Sequence, residues 1–434
     1  MSEIISQTIA VLAALTEPLK LGTNLALLHL LWAMISGTLL PSRGALFPAL
    51  QATGLLPAAV RRSWAALRFG SWQISDLLPA WERHVTTQKE WQRPIYDGYR
   101  PQAVDITGFW RPAWKGCPTK HFFAPAGKAL PAVVLGLIAR VGRVKGQRVA
   151  LLTDLVRSDP AAPTETALCK RLLRQVAQGL AKDEIPVLDA GFKIEALQEV
   201  GLERYLLRLA KNFTARRNTL PAYKGKGRKP EYGELVRPLA RRRRGKTIPA
   251  TPPDKVEHWH EQGVDLRAEI WHDLVLPDVK VAAEAKTFHV AAVYDPCFKE
   301  PWLLASPVAL SGPAWRGLYR DRWPIEQVPL AAKQMIGAGR QFVSAPESCQ
   351  RLPELSLLAG MILTYLAAIL PAIPTGFGDR HPKPTPGRLR RALAGTPFPE
   401  SYPLPTRLRK KESVVAHLPK GILGHRRQKG VAGP

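Results

Sequence analysis

The sequence is short of cysteine, short of acid and short of uninterrupted apolar runs. Four cysteines in 434 residues cannot build a disulfide scaffold, and no two form a C-x-x-C pair, which excludes a zinc ribbon. A reducing, cytoplasmic compartment fits that usage. Asp and Glu number 35 against 62 Lys and Arg, a formal net charge of +27. That imbalance excludes an ordinary near-neutral metabolic enzyme as the default. It points to a polyanionic partner, nucleic acid before an anionic membrane surface. The two longest apolar runs, Leu25 to Leu40 and Leu355 to Leu370, are interrupted by His29 and Ser36 and by Ser356 and Thr364. Both are shorter than the ~20 residues of a membrane span, so they read as buried helices. The opening Ser2-Glu3 offers no basic n-region, and no signal peptide is expected. Walker-type, dinucleotide and G-x-S-x-G motifs are missing, so no nucleotide cofactor and no nucleophile elbow are expected. His258, His260 and His272 lack a Cys or carboxylate at matching spacing, which argues against zinc.

What is present is a hydrophobic share of 46%, enough for a sizeable core and, at this length, for several domains. Residues 1–85 carry apolar residues at helical spacing and read as a helical N-terminal domain. Within it, Gly44–Thr53, a break at Gly54 and Pro57–Arg68 are similar to a helix-turn-helix. Pro57 would sit in the first turn of a second helix bearing Arg61, Arg62 and Arg68. An ordinary helical hairpin would read the same way. Residues 86–102 are a polar linker with Pro94, Gly98 and Pro101.

From residue 103 strands and helices alternate. Strands are expected at Ala103–Thr107, Ala132–Val141, Arg148–Val156, Ile185–Leu188 and Arg204–Leu209, with helices at Thr164–Lys182 and Lys193–Val200. Thr164 is the expected cap of the first helix. The order β-β-β-α-β-α-β is mixed α/β and suits an RNase H-like core, a mixed sheet flanked by helices, although a generic α/β domain would also fit. Further strands are expected at Ala268–Leu276, Thr287–Tyr294 and Trp302–Ala305, as part of a basic, β-rich insertion at about 211–305. Residues 211–255 hold 14 Lys or Arg against three acids, and Gly376–Pro434 hold 13 against three. These two segments carry +21 of the +27, as arms lying along phosphate would. Residues 373–434 read as a basic, Pro-rich tail.

The chemistry concentrates between Tyr319 and Lys333. Tyr319, Arg322, Glu326 and Lys333 are spaced 3, 4 and 7 apart and would share one face of a continuous helix. One carboxylate is thus flanked by two cations and a phenol, which can hold a divalent metal and grip phosphate oxygens. A solvated helix face with an incidental ion pair is the plain alternative. Pro324 and Pro329 fall inside this helix, and an interior proline costs about 3 kcal/mol, so the one-face geometry weakens toward Lys333.

This Y-x2-R-x3-E-x6-K pattern, with Trp302-Leu303-Leu304 upstream and Gly337-Ala338-Gly339 after it, resembles the cut-and-paste DDE transposases of bacterial insertion sequences. The resemblance extends loosely over residues 100–372. It implies a DDE catalytic domain at 103–372 whose metal ligands and catalytic residues are Asp105, Asp189 and Glu326. Asp189 ends a buried strand in Val-Leu-Asp-Ala-Gly-Phe, and Asp105 fits the family's Asp-x-Thr. The rival Asp154 lies only 35 residues before Asp189, too few for the intervening elements. The resemblance further implies two Mg2+ ions per site, with Mn2+ able to substitute. It implies hairpin-forming cleavage at transposon ends, strand transfer into target DNA, and a homodimer on double-stranded DNA in a nucleoid-associated, cytoplasmic setting. Tyr319, Arg322 and Lys333 would contact DNA, as would Arg208 and Lys211 after the fifth strand and Arg61 and Arg62 on the N-terminal helix. Trp302 would stack on a flipped base. An inactive or domesticated DNA-binding relative is the main alternative. A structure-selective nuclease and a membrane-surface protein come after it.

Overall fold

The computed structural model describes residues 2–111, 113–223, 225 and 227–409. Helices α1 (Ser2–Thr16), α2 (Thr23–Ile35), α3 (Leu46–Gln51), α4 (Pro57–Phe69) and α5 (Ile74–Thr86) come first. Strands β1 (Trp91–Gln92), β2 (Arg100–Trp110), β3 (Lys120–Phe123), β4 (Lys128–Val144) and β5 (Gln147–Arg157) follow, then α6 (Glu165–Gly179), β6 (Glu184–Leu188), α7 (Ile194–Glu199) and β7 (Leu206–Arg208). The next stretch is all strand: β8 (Ala215–Arg217), β9 (Leu235–Val236), β10 (Arg241–Arg243), β11 (Lys246–Ile248), β12 (Lys255–Glu261), β13 (Val264–Val275), β14 (Phe288–Tyr294) and β15 (Trp302–Ser306). Helices α8 (Gly312–Arg322), α9 (Pro324–Leu330), a π-helical turn (Ala331–Ile336), α10 (Pro346–Ile369), α11 (Pro386–Leu393) and α12 (Thr406–Arg409) complete the described chain. The protein is mixed α/β, with a mixed multistranded sheet flanked by helices. It divides into two compact units.

The first unit contains residues up to Arg93, Ile106–Leu168 and residues from Pro324 onward. The N-terminal helices therefore share a unit with the β4–β5 hairpin and with α10. That hairpin forms where the apolar runs predict it, and its tight turn places Lys145 and Gly146 at φ 47° and 79°. Two left-handed residues are what a two-residue hairpin needs to match strand twist. Helix α10 is apolar on nearly every side and correspondingly buried, the mark of a core helix. It packs against α1, α2, α4, α5 and the hairpin. Gly360 lets it approach the turn after α9, since a Cβ there would stand 3.2 Å from Ala331 Cβ and Val328 O. Among the described residues α10 alone is long and apolar enough to cross a membrane, and 89% of that stretch is buried within the protein. The second expected apolar helix, α2, is likewise buried.

The second unit contains Pro94–Asp105 and Cys169–Trp323. The first half of β2 pairs in parallel with β6, and β6 with β7. The ladder then turns antiparallel through β15, β14 and β13, which also pairs with β12 and β8. The insertion thus contributes strands to the ladder. Its β12 was not expected: Lys-Val-Glu-His-Trp-His-Glu alternates half-buried with exposed residues and reads as polar. Helix α8 packs Ala314, Trp315 and Leu318 onto Ile185, Val187, Leu206 and Ile270. Its Arg316 is buried and bonds Asp295 at 2.8 Å and Glu261 at 3.0 Å, which neutralises the charge inside. The cap at α6 is as expected, Thr164 Oγ1 accepting the Ala167 N–H at 3.2 Å.

Candidate functional site

The parallel strands of the second unit set the level of three candidate side chains. Ala103 pairs with Val187, and Val187 with Leu206. Two residues further along each strand stand Asp105, Asp189 and Arg208. All three therefore follow the end of one parallel ladder, whose last pairs are Ala103–Val187 and Leu188–Leu207. Asp189 falls just past the end of β6, whose five residues are all buried. There its Oδ1 accepts the Gly191 N–H at 2.9 Å, a turn that holds the carboxyl at the strand end. Both aspartates are half-buried. The rival Asp154 belongs to β5, where it sits opposite Ile138 and accepts the N–H of its own neighbour Leu155.

Arg208 is tied to the signature. Its Nη1 donates to the Tyr319 hydroxyl at 3.2 Å, and its guanidinium lies 5.3 Å from the centre of that ring. The Arg322 guanidinium is 5.7 Å from the same ring, and Arg322 is buried. Trp302 meets Tyr319 edge-on at 5.2 Å and Phe298 at 4.6 Å. Sequence reasoning singled out Trp302 and passed over Phe298. Trp302 is only 6% exposed and is part of the core, whereas Phe298 is 44% exposed. Lys211 follows β7 and pairs with Glu300.

Glu326 and Lys333 lie in the first unit, so the unit boundary divides the signature. Helix α8 ends at Arg322, Trp323 is exposed, and Pro324 opens α9. Proline suits a first turn because its missing N–H would have no helical acceptor there. Pro329 removes an interior donor, and the chain continues as the wide turn 331–336. The signature is thus divided among α8, α9 and the wide turn, with Trp323 (φ −49°, ψ −37°) and Leu330 (φ −62°, ψ −47°) at the junctions keeping helical backbone. Glu326 is half-buried in the first turn of α9. Lys333 instead finds β2: its Nζ donates to Thr107 Oγ1 at 2.9 Å and lies 4.8 Å from the Trp110 ring and 5.1 Å from the Phe109 ring. Thr107 stands two residues after Asp105. Sequence reasoning cited Thr107 only as part of Asp-x-Thr and missed its partner.

Arg61 and Arg62 are exposed on α4, and Pro57 opens that helix as expected. The preceding α3 has only six residues. Residues 410–434 of the expected tail lie outside the described residues; before them the tail forms α11 and α12. Among the described residues no three His, Cys, Asp or Glu side chains are gathered as they would be around an ion. No protein-family model matches the chain, and no curated protein matches it significantly.

Proposed function

We propose that the protein is a DNA transposase with an RNase H-like catalytic core, cutting the ends of its element and joining them to target DNA. The observation that carries this reading is that Asp105, Asp189 and Arg208 follow the last pairs of the parallel ladder β2–β6–β7, with Arg208 bonded to Tyr319 of the signature. The antiparallel hairpin β4–β5 before α6, and the parallel pairing of β2 with β6 and of β6 with β7, support the RNase H-like assignment.

In this reading Asp105, Asp189 and Glu326 hold magnesium or manganese. Their donors are all carboxylate oxygens, the kind these hard cations take. Two such ions, when bound, activate an attacking oxygen and stabilise a leaving one. Arg208 grips a backbone phosphate near Asp189, and the Tyr319 hydroxyl fixes its guanidinium plane. Lys333, steered by Thr107 and the Trp110 ring, presents a second cation beside the strand that carries Asp105. The N-terminal Arg61 and Arg62 contact DNA outside the scissile region. Assembly as a homodimer on paired ends belongs to the same reading.

The alternative, a relative that binds DNA without cutting it, draws on the break at Pro324 and the wide turn before Lys333. Cleavage of a labelled duplex carrying the native element end decides between them, run with magnesium or manganese on wild type and Glu326→Gln. The expected result is a metal-dependent cut at the boundary that Glu326→Gln abolishes while DNA binding persists. Intact binding without cleavage by wild type under either metal selects the alternative.

A further inference from the structure

A cleft in the second unit lies between the segment after β7, the residues entering β10 and the loop before β15. It has a volume of about 300 Å3; Leu239, Ala240 and Pro301 form its apolar wall, and Lys211, Asn212, Arg241 and Glu300 its polar one. One carboxylate stands among cations here. Glu300 pairs with Lys211, which lowers its pKa, and it also feels the charges of Lys299 and Arg208. Arg241 is half-buried and donates to the Asn212 carbonyl at 3.4 Å. Its Nε is shielded from solvent and has no acceptor among the described residues.

We propose that this cleft is a phosphate seat for a nucleic-acid strand, and that Glu300 is its displaceable plug. The proposal rests on the DNA-processing reading above. Lys211 and Glu300 are both more than half exposed, at 62% and 53%, so water screens their attraction and the pair is weak. A backbone phosphate has the same charge as the carboxylate and two tetrahedrally splayed non-bridging oxygens that can reach different donors. It also releases counterions on binding, which the internal pair does not. A phosphate that takes Lys211 can present a further oxygen to Arg241. Glu300 then swings out, since among the described residues Lys211 alone bonds it. The basic segment thereby becomes part of a built subsite instead of a diffuse cloud of charge. The sign of the Glu300 effect separates this device from a structural ion pair: removing the acid strengthens binding.

The test is fluorescence anisotropy of the full chain with a labelled duplex and a labelled single strand, without divalent metal, over a salt series. Glu300→Gln is expected to tighten binding about 3- to 10-fold at low salt. Lys211→Met and Arg241→Gln each weaken it and reduce the salt slope by about 0.9 on duplex. In the double variant Lys211→Met/Glu300→Gln, the gain from losing Glu300 shrinks, because the cation it masked is gone. Thermal unfolding checks that each variant folds. Binding that is unchanged or weaker in Glu300→Gln overturns the seat while leaving the transposase reading intact. A Glu300→Gln gain in a protein that cuts no element end keeps the seat and removes the transposase reading. Wild type that binds no DNA removes both.

Discussion

Arg208, expected as a DNA contact, shows how neighbours constrain a cation. A free arginine after a strand is a mobile cation. Here the Tyr319 hydroxyl accepts from it and the ring lies beside it, so its plane is constrained. His29 makes the opposite case, a titratable group silenced by its surroundings. Burial, and then the nearby Arg62 charge, lower its pKa to about 4. A histidine depressed in the folded state favours folding fully above its unfolded value of about 6.5, and that contribution drains away as pH falls toward 4. Unfolding free energy should therefore drop by about 1.4 kcal/mol from this group between pH 7.5 and pH 5.5. Urea denaturation of wild type and His29→Leu at both pH values checks it: the variant loses less stability on acidification, by about that amount. Asp189 was legible in sequence because a wholly apolar run ends on it. The plugged state of Lys211 was not, because Glu300 is remote in the chain and ion pairs leave no periodic trace.

Elements were legible where one face is apolar and illegible where hydrogen bonding decides. The β4–β5 hairpin and α6 follow from their patterns to within a few residues. The signature helix does not: spacing places Tyr319 and Lys333 on one face only if every turn has the same width. Pro324 opens α9, Pro329 precedes the wide turn, and Lys333 in that turn bonds Thr107. Helix α10 adds a second case. Its Arg351 is buried, and its guanidinium donates to the carbonyls of Leu67, Arg68, Gly70 and Trp72 at 3.0–3.4 Å while lying 4.8 Å from the Trp72 ring. The last carbonyls of a helix have no partner of their own, so one side chain of α10 caps the end of α4. Arg351→Met keeps the length and the apolar stem but leaves those carbonyls bare. It should lower unfolding free energy by about 3 kcal/mol and speed hydrogen exchange through residues 66–72. An unchanged urea midpoint would show that water takes over the arginine's role.

At the scale of the whole molecule, composition overstates the charge available to a partner. The insertion and tail carry most of the +27, yet several of their cations serve the fold. Arg217 forms a two-pronged pair with Asp254 at 2.5 and 2.6 Å. Arg216 donates to the carbonyls of Pro277 and Gly233, and Arg388 pairs with Asp379 at 2.7 Å. Arg217 and Arg388, whose charge is already matched by an acid within the chain, would add little counterion release on a polyanion, while the donors of Arg216 are held by carbonyls. The segment from Lys410 to Pro434 holds six Lys or Arg against one Glu. If it lies along the backbone, each contacting cation adds about 0.9 to the slope of log K against log salt. Ending the chain at Arg409 should then flatten that slope by several units, to a ceiling near 5, and weaken specific and random duplexes alike. A flattening confined to the element-end duplex would instead make the segment a reader of sequence. An unchanged slope would leave duplex affinity to the cations of the two compact units, with α4 and the β10 region the first to examine.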